Sequence, residues 1–215
     1  MVPIRPPDSQ HLDAWDSDYR TRGLLWGGNP APLPNLPNGS RVLELGCGNG
    51  KNLPAMMENG WDITAMDCSM TALLLCRPVV HETGRVHLVA GDATYLPLRD
   101  SALGAVFSLH VTGHLARPGR LQFAGEVLRV LMPGGQVVFR DFGVDDFRFG
   151  KGEMTEPCTF RRGTGSSTHY FTEGEVSMLF DAFTCISIEE HRWVMRIKGL
   201  DYQRCEITAI FEKPA

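Results

Sequence analysis

Apolar residues in this chain gather into short runs, each ended by a glycine, an acid or a base. Val42, Leu43 and Leu45 enclose one acid, Glu44, and run into Gly46, Gly48 and Gly50. Further runs occupy 60–68, ending at Asp67 and Cys68, and 85–90, leading into Gly91, Asp92 and Ala93. Two more span 105–109, closing on Leu109 and His110, and 136–140, closing on Arg140. Short apolar runs bounded by turn residues predict buried strands, and four of the five are separated by helix-length segments. The helical stretch before the fifth run is expected to reach Leu131, where Met132, Pro133, Gly134 and Gly135 stop it and turn the chain back. The order predicts an α/β fold, a mostly parallel central sheet with helices on both faces.

The polar residues at the ends of these runs carry the chemistry. A strand, a glycine turn holding Cys47 and Asn49, and a helix starting near Asn52 present backbone N–H groups and a helix N-terminus to a ligand. The dinucleotide fingerprint places its third glycine three positions after the second, where this chain has Lys51; here Gly50 follows after two. Asp67 stands 23 positions after Glu44, near the spacing at which such sites set a carboxylate on ribose hydroxyls. Taken singly, the glycines suit a plain turn, and Asp67 and Asp92 suit helix caps. Together they fall at the carboxyl ends of consecutive strands, where open α/β sheets bind ligands.

A length of 215 residues suits one domain with a full core, and a net charge of −4 supplies no global field for nucleic acid. The six cysteines contain no Cys-x-x-Cys pair, and His110 with His114 lacks both the H-E-x-x-H pattern and a third ligand, so no metal site is expected. The opening residues lack an apolar segment, which implies a cytoplasmic protein with no membrane association. Residues 29–38 carry four prolines and read as an extended connector. It separates a segment at 11–28, whose Trp15, Tyr19 and Trp26 belong either to a helix packed on the sheet or to a lid, from the first strand, so that residues 1–40 precede a domain spanning 41–215.

The glycine pattern with its preceding acid resembles motif I of the class I S-adenosylmethionine-dependent methyltransferases. Later segments narrow the resemblance. Arg140-Asp141-Phe142-Gly143, then Arg148-Phe149, Lys151-Gly152, Phe160 with Arg162, Gly163-Thr164 and Tyr170-Phe171-Thr172 resemble the tRNA 3-methylcytidine methyltransferase family. So do Ala14-Trp15-Asp16, Tyr19 and the final segment 202–214, with its Lys-Pro ending. This implies a Rossmann-like methyltransferase domain with an antiparallel last strand, S-adenosyl-L-methionine as cofactor and an RNA base, cytosine N3-like, as acceptor. It further implies a cofactor site built from Trp15, Tyr19, Glu44, Gly46, Cys47, Gly48, Asn49, Gly50, Asn52, Asp67, Cys68, Asp92, Ala93, Leu109 and His110, with Asp92 receiving the adenine amino group. A methyltransferase of the same fold acting on a small metabolite or protein side chain is the alternative, and a non-catalytic cofactor-binding subunit is another.

A cytosine ring nitrogen attacks with a free lone pair and becomes cationic, so an acid beside it serves better than a base. Asp141, at the end of the fifth strand, is expected there, with Arg140 alternating to the opposite face. His110 reads as a general base or as a wall of the cofactor pocket. Arg148, Lys151, Arg162 and Tyr170 are the candidate substrate-binding residues, within a basic loop at 148–169.

Overall fold

The computed structural model describes residues 10–24, 33–80, 84–163 and 165–215; Trp26 and connector residues 29–32 lie outside them. Helix α1 (Gln10–Arg22) precedes β1 (Arg41–Leu45), α2 (Leu53–Glu58), β2 (Asp62–Asp67), α3 (Met70–Val80), β3 (Val86–Ala90) and β4 (Leu103–Leu109). A 3-10 turn at Thr112–His114 leads to α4 (Arg117–Val130) and β5 (Leu131–Phe142). Three short strands follow, β6 (Glu153–Glu156), β7 (Thr159–Arg161) and β8 (Ser167–His169). Helix α5 (Glu173–Leu179) then leads into a long hairpin of β9 (Thr184–Ile197) and β10 (Leu200–Glu212).

The main sheet has seven strands in the order β3-β2-β1-β4-β5-β10-β9. Neighbours from β3 to β5 pair in parallel, while β10 runs antiparallel to both β5 and β9. The expected antiparallel last strand is β10. Helices cover both faces, so β1 is buried at four of its five positions. Strand alternation divides its side chains: Leu43 and Leu45 enter a core with Phe123 and Phe139, and Val42 enters one with Trp61 and Phe107. The chain steps outward from β1 to β3 and then returns to the other side of β1 at β4. That reversal opens a crevice at the carboxyl ends of β1 and β4.

Three expectations change. Helix α4 ends at Val130 and the strand begins at Leu131, earlier than Gln136, because Pro133 to Gly135 form an irregularity inside β5. There Gly134, at φ +75°, donates its N–H to the Lys213 carbonyl at 2.9 Å. The stretch 148–169 is no loop but holds the separate antiparallel sheet β6-β7-β8. Strand β9 was not anticipated: it is a mostly exposed edge strand whose alternation is interrupted by Glu189, Glu190, His191 and Arg192.

Candidate active site

The glycine turn follows β1 with Gly46, Gly48 and Gly50 at φ +63°, +55° and +82°, a region that penalises any Cβ. Space agrees with conformation, since a Cβ on Gly46 would overlap Val111 and one on Gly50 would lie 2.7 Å from the Cys76 sulfur. Asp67 holds the turn in place. Its Oδ2 accepts the Gly48 N–H and its Oδ1 the Ser69 N–H, both at 2.8 Å. Burial raises this carboxyl, and the two N–H bonds oppose the rise.

Glu44 lies beneath the turn and is 2% exposed. Asn52 Nδ2 donates to its Oε1 at 2.8 Å, while Oε2 is buried and makes no hydrogen bond among the described residues. Burial pushes this acid up to about 7, with the Asn52 bond opposing and the charge of Asp67 adding to the rise. On the third strand end, Asp92 Oδ1 accepts from both the N–H and the hydroxyl of Thr94 at 2.8 Å.

Helix α1 roofs this crevice. Asp16 Oδ1 accepts from Ser69 Oγ at 2.7 Å and from the Thr71 N–H at 2.9 Å, latching α1 to the start of α3. Tyr19 is buried, and Trp15 sets its ring edge-on to His114, with centroids 4.7 Å apart. His114 Nδ1 lies 2.7 Å from the Ser167 carbonyl oxygen, joining the cleft wall to β8. The result is a cleft enclosing about 1130 Å³ of empty space, partly open to solvent.

Of the expected cofactor residues, Trp15, Tyr19, Gly46, Cys47, Asn52, Asp67, Cys68, Asp92, Ala93, Leu109 and His110 line this cleft. Glu44, Gly48, Asn49 and Gly50 sit behind its surface and shape the turn. Burial raises the Cys68 thiol, and contact with Cys76 followed by burial raises that of Cys47, so both stay neutral. Lys51, Met66, Val111 and Leu115 also line the cleft and were not anticipated. Val111 and Leu115 carried no signal, because apolar residues of a pocket wall read like those of a core.

At the far end of the cleft the structure exchanges the two faces expected of β5. Arg140 lines the cleft, while Asp141 is 0% exposed and points beneath it. Asp141 Oδ2 accepts the Gly113 N–H at 2.7 Å and Oδ1 its neighbour Phe142 N–H at 3.0 Å. Burial lifts it to about 7 against those bonds. The strand register explains the exchange: Arg140 and Phe142 pair with Thr208 and Glu206 of β10 and share their face, whereas Asp141 pairs with Ile207 of the core.

His110 turns out of β4 at φ +61° and stacks on Phe142, with ring centroids 4.5 Å apart. Its Nε2 lies 3.3 Å from Glu206 Oε1, and Arg140 Nε lies 4.0 Å from Glu206 Oε2. His110 Nδ1 and Arg140 Nε are both buried and make no hydrogen bond among the described residues. Burial first, then Arg140 and other nearby cations, pushes His110 down to about 3, so its ring is neutral at physiological pH. Glu206, which sequence reasoning missed, is raised by burial against the pull of Arg140 and Arg204.

The four expected substrate residues separate. Arg148 lies flat on Phe142, 3.8 Å from the ring centroid, and its Nε donates to buried Asp146 at 2.8 Å. Lys151 and Arg162 line a second, shallower cavity with Gly152, Glu153, Arg161 and Gly163. Tyr170 is 0% exposed and accepts from Arg162 Nη2 at 2.8 Å, so it supports that arginine and faces no substrate. Among the described residues no group of His, Cys, Asp or Glu is arranged to hold a metal, and no helix is long and apolar enough to cross a membrane.

Comparison with known proteins agrees with this geometry. Residues 43–139 match the family described as methyltransferase domain. The tRNA N(3)-cytidine methyltransferase METTL2 of Gallus gallus is 30% identical over 192 residues, covering 81% of this chain and 52% of that relative. The chain thus spans about half the length of the curated relatives it matches. An S-adenosylmethionine-dependent methyltransferase structure from Methanosarcina mazei superposes with a TM-score of 0.68 at 22% identity, covering 83% of this chain and 94% of that one. The 1,6-didemethyltoxoflavin N1-methyltransferase of Burkholderia thailandensis, solved with its substrate and S-adenosylhomocysteine, gives 0.64 at 18% identity over 97% of this chain and 80% of that one. Residues 43–139 carry a methyltransferase domain, and the relatives and the fold together support a class I S-adenosylmethionine-dependent methyltransferase with S-adenosylmethionine as its cofactor. The residues present suit that group: a glycine cradle without room for side chains, acids at consecutive strand ends, and one buried carboxylate oxygen left unpaired.

Proposed function

We propose that this domain transfers the methyl group of S-adenosylmethionine to an RNA base, at a cytosine N3-like nitrogen of tRNA. The observation that carries the reading is similarity to a tRNA N(3)-cytidine methyltransferase over 81% of the chain, well beyond the cofactor-binding half. The motifs at 140–172 support it.

When bound, the cofactor supplies a methyl group on a sulfonium, open to in-line attack. In this reading Gly46, in the turn that Gly48 shapes, holds its amino-acid end, Asp67 its ribose and Asp92 its adenine, while Trp15 and Tyr19 exclude water above it. Arg140 and neutral His110 face the acceptor. An acceptor nitrogen with a free lone pair needs no base, which suits a histidine pushed down to about 3. The carboxylate that offsets the product's positive charge is Glu206, acting from behind His110 and Arg140, in place of Asp141. Residues 1–40 act as a cover and 41–215 as the catalytic domain.

A small-metabolite acceptor is the second reading, favoured by the net charge of −4 and by the toxoflavin-precursor substrate of the Burkholderia neighbour. Incubation with methyl-labelled S-adenosylmethionine against total tRNA, protein extract and small-molecule extract decides between them. Label recovered as 3-methylcytidine is expected; label confined to the small-molecule fraction would overturn the RNA reading.

A further inference from the structure

The hairpin β9–β10 leaves one of its faces unexplained by folding. Cys205, Ile207, Ala209 and Phe211 of β10 point into the core. By strand alternation Tyr202, Arg204 and Glu206 point the other way, and register adds Trp193 opposite Arg204 and Phe142 opposite Glu206. Phe142 is packed with Phe160 and Tyr170 and is 8% exposed, but toward the hairpin the face opens, and Trp193 is 39% exposed.

The rings and cations interleave. The Arg204 guanidinium lies 5.3 Å from the ring centroids of both Phe142 and Trp193. Phe147 and Tyr202 have centroids 4.7 Å apart, and Lys151 Nζ stands 4.6 Å over Phe147. Buried Asp146 accepts from both Arg148 and Arg204, which fixes the two guanidinium planes and cancels one of their charges. With Glu206 on the same face, Arg148, Arg204 and Lys151 leave one positive charge in excess. The row is also continuous with the cleft, because Phe142 carries the stacked His110 ring.

We propose that the open part of this face, around Arg204, Trp193 and Tyr202, is a stacking platform for single-stranded RNA flanking the methylated base. The inference rests on the RNA reading above and extends it to the β9–β10 hairpin, which lies outside motif I and the 148–169 segment. Planar faces with fixed guanidinium groups accept any base, and the cationic excess follows the backbone, which is how strands are held without sequence readout. Val194, exposed and paired with Gln203, alternates to the other face of the hairpin, so the platform face presents rings and cations and few aliphatic side chains.

The test uses the full chain and a fluorescent single-stranded oligoribonucleotide of about twelve nucleotides, within the range such surfaces occupy. Anisotropy is measured for the parent, Trp193→Ala, Trp193→Phe and Tyr202→Ala, with S-adenosylhomocysteine calorimetry as the control for folding. The two alanine variants are expected to bind RNA roughly tenfold more weakly, as for loss of one stacked base, with cofactor affinity held and KM for RNA raised. Trp193→Phe keeps a ring and should stay within about threefold of the parent. Equal RNA affinity in parent and alanine variants would overturn the platform and leave the RNA reading standing. A parent that neither binds nor methylates RNA would overturn both.

Discussion

Asp67 and Gly48 are joined by a 2.8 Å hydrogen bond from the glycine N–H to a carboxylate oxygen, so the acid at the end of β2 sets the shape of the turn after β1. The same side chain is the proposed ribose ligand, and the two roles are linked. Asp67→Ala should weaken S-adenosylhomocysteine binding by about 1.5–3 kcal/mol, as for lost bonds to a charged group, and should also lower the melting temperature by leaving buried N–H groups unpaired. Asp67→Asn keeps an acceptor and should show the smaller thermal loss. Calorimetry and thermal melts read the two effects apart; unchanged affinity in the alanine variant would reduce Asp67 to a strut.

Glu44 gives a pH prediction. Its folded pKa of about 7 lies above the ~4.3 of an unfolded glutamate, so the unfolded chain ionises first. The stability contributed by the protonated form is full below about pH 4 and is lost as pH rises toward 7. Asp141, also lifted to about 7, works in the same direction. Glu44→Gln removes one of these losses while still accepting from Asn52. The variant should therefore melt higher than the parent at pH 8, with the difference fading toward pH 4. Its cofactor affinity should fall, because a neutral amide no longer attracts the ligand's ammonium group. A melting difference independent of pH would show that Glu44 is not held protonated.

Much of this site was legible before any coordinates, for a physical reason. The glycines at 46, 48 and 50, the acids at 67 and 92 and the order of the strands follow from local needs of backbone and burial, which act over a few residues. The orientation of Arg140 and Asp141 did not follow, since the face of β5 is fixed by its register with β10, some 65 positions later. Glu206 was hidden for the same reason: nothing near it in sequence marks it, and only the antiparallel return of β10 brings it to His110. Strand β9 was missed because an exposed edge needs no apolar alternation. Tyr170 read as a substrate contact from its motif, but the fold of β6-β7-β8 buries it.

His110 makes a kinetic prediction. A histidine pushed down to about 3 stays neutral across the range in which an ordinary one titrates, near 6.5. With S-adenosylmethionine saturating, so that Glu44 does not enter, the profile of log kcat/KM for the acceptor should then show no break near pH 6.5 that His110→Asn removes. His110→Asn should retain measurable turnover, because the side chain shapes the pocket and carries no proton in the reaction. A clear break near pH 6.5 that disappears in the asparagine variant would restore His110 as a general base, and with it an acceptor that arrives protonated.

The second cavity decides between a phosphate-bearing acceptor and an uncharged one. Arg148 and Arg162 are held by Asp146 and Tyr170, so the cations freest to meet a phosphate there are Lys151 and Arg161. Each phosphate contact releases counterions, and log affinity for single strands falls by about 0.7 per contact for every tenfold rise in salt. The parent should therefore bind RNA with steep salt dependence, and Lys151→Ala with Arg161→Ala should flatten the slope by roughly 1.4 if each makes one contact. Cofactor affinity should not change, since neither Arg161 nor Lys151 lines the cleft. Titrations at several salt concentrations measure the slope directly. A double variant with the parent's slope would remove phosphate from this cavity, and a parent without any slope would point to the small-metabolite acceptor.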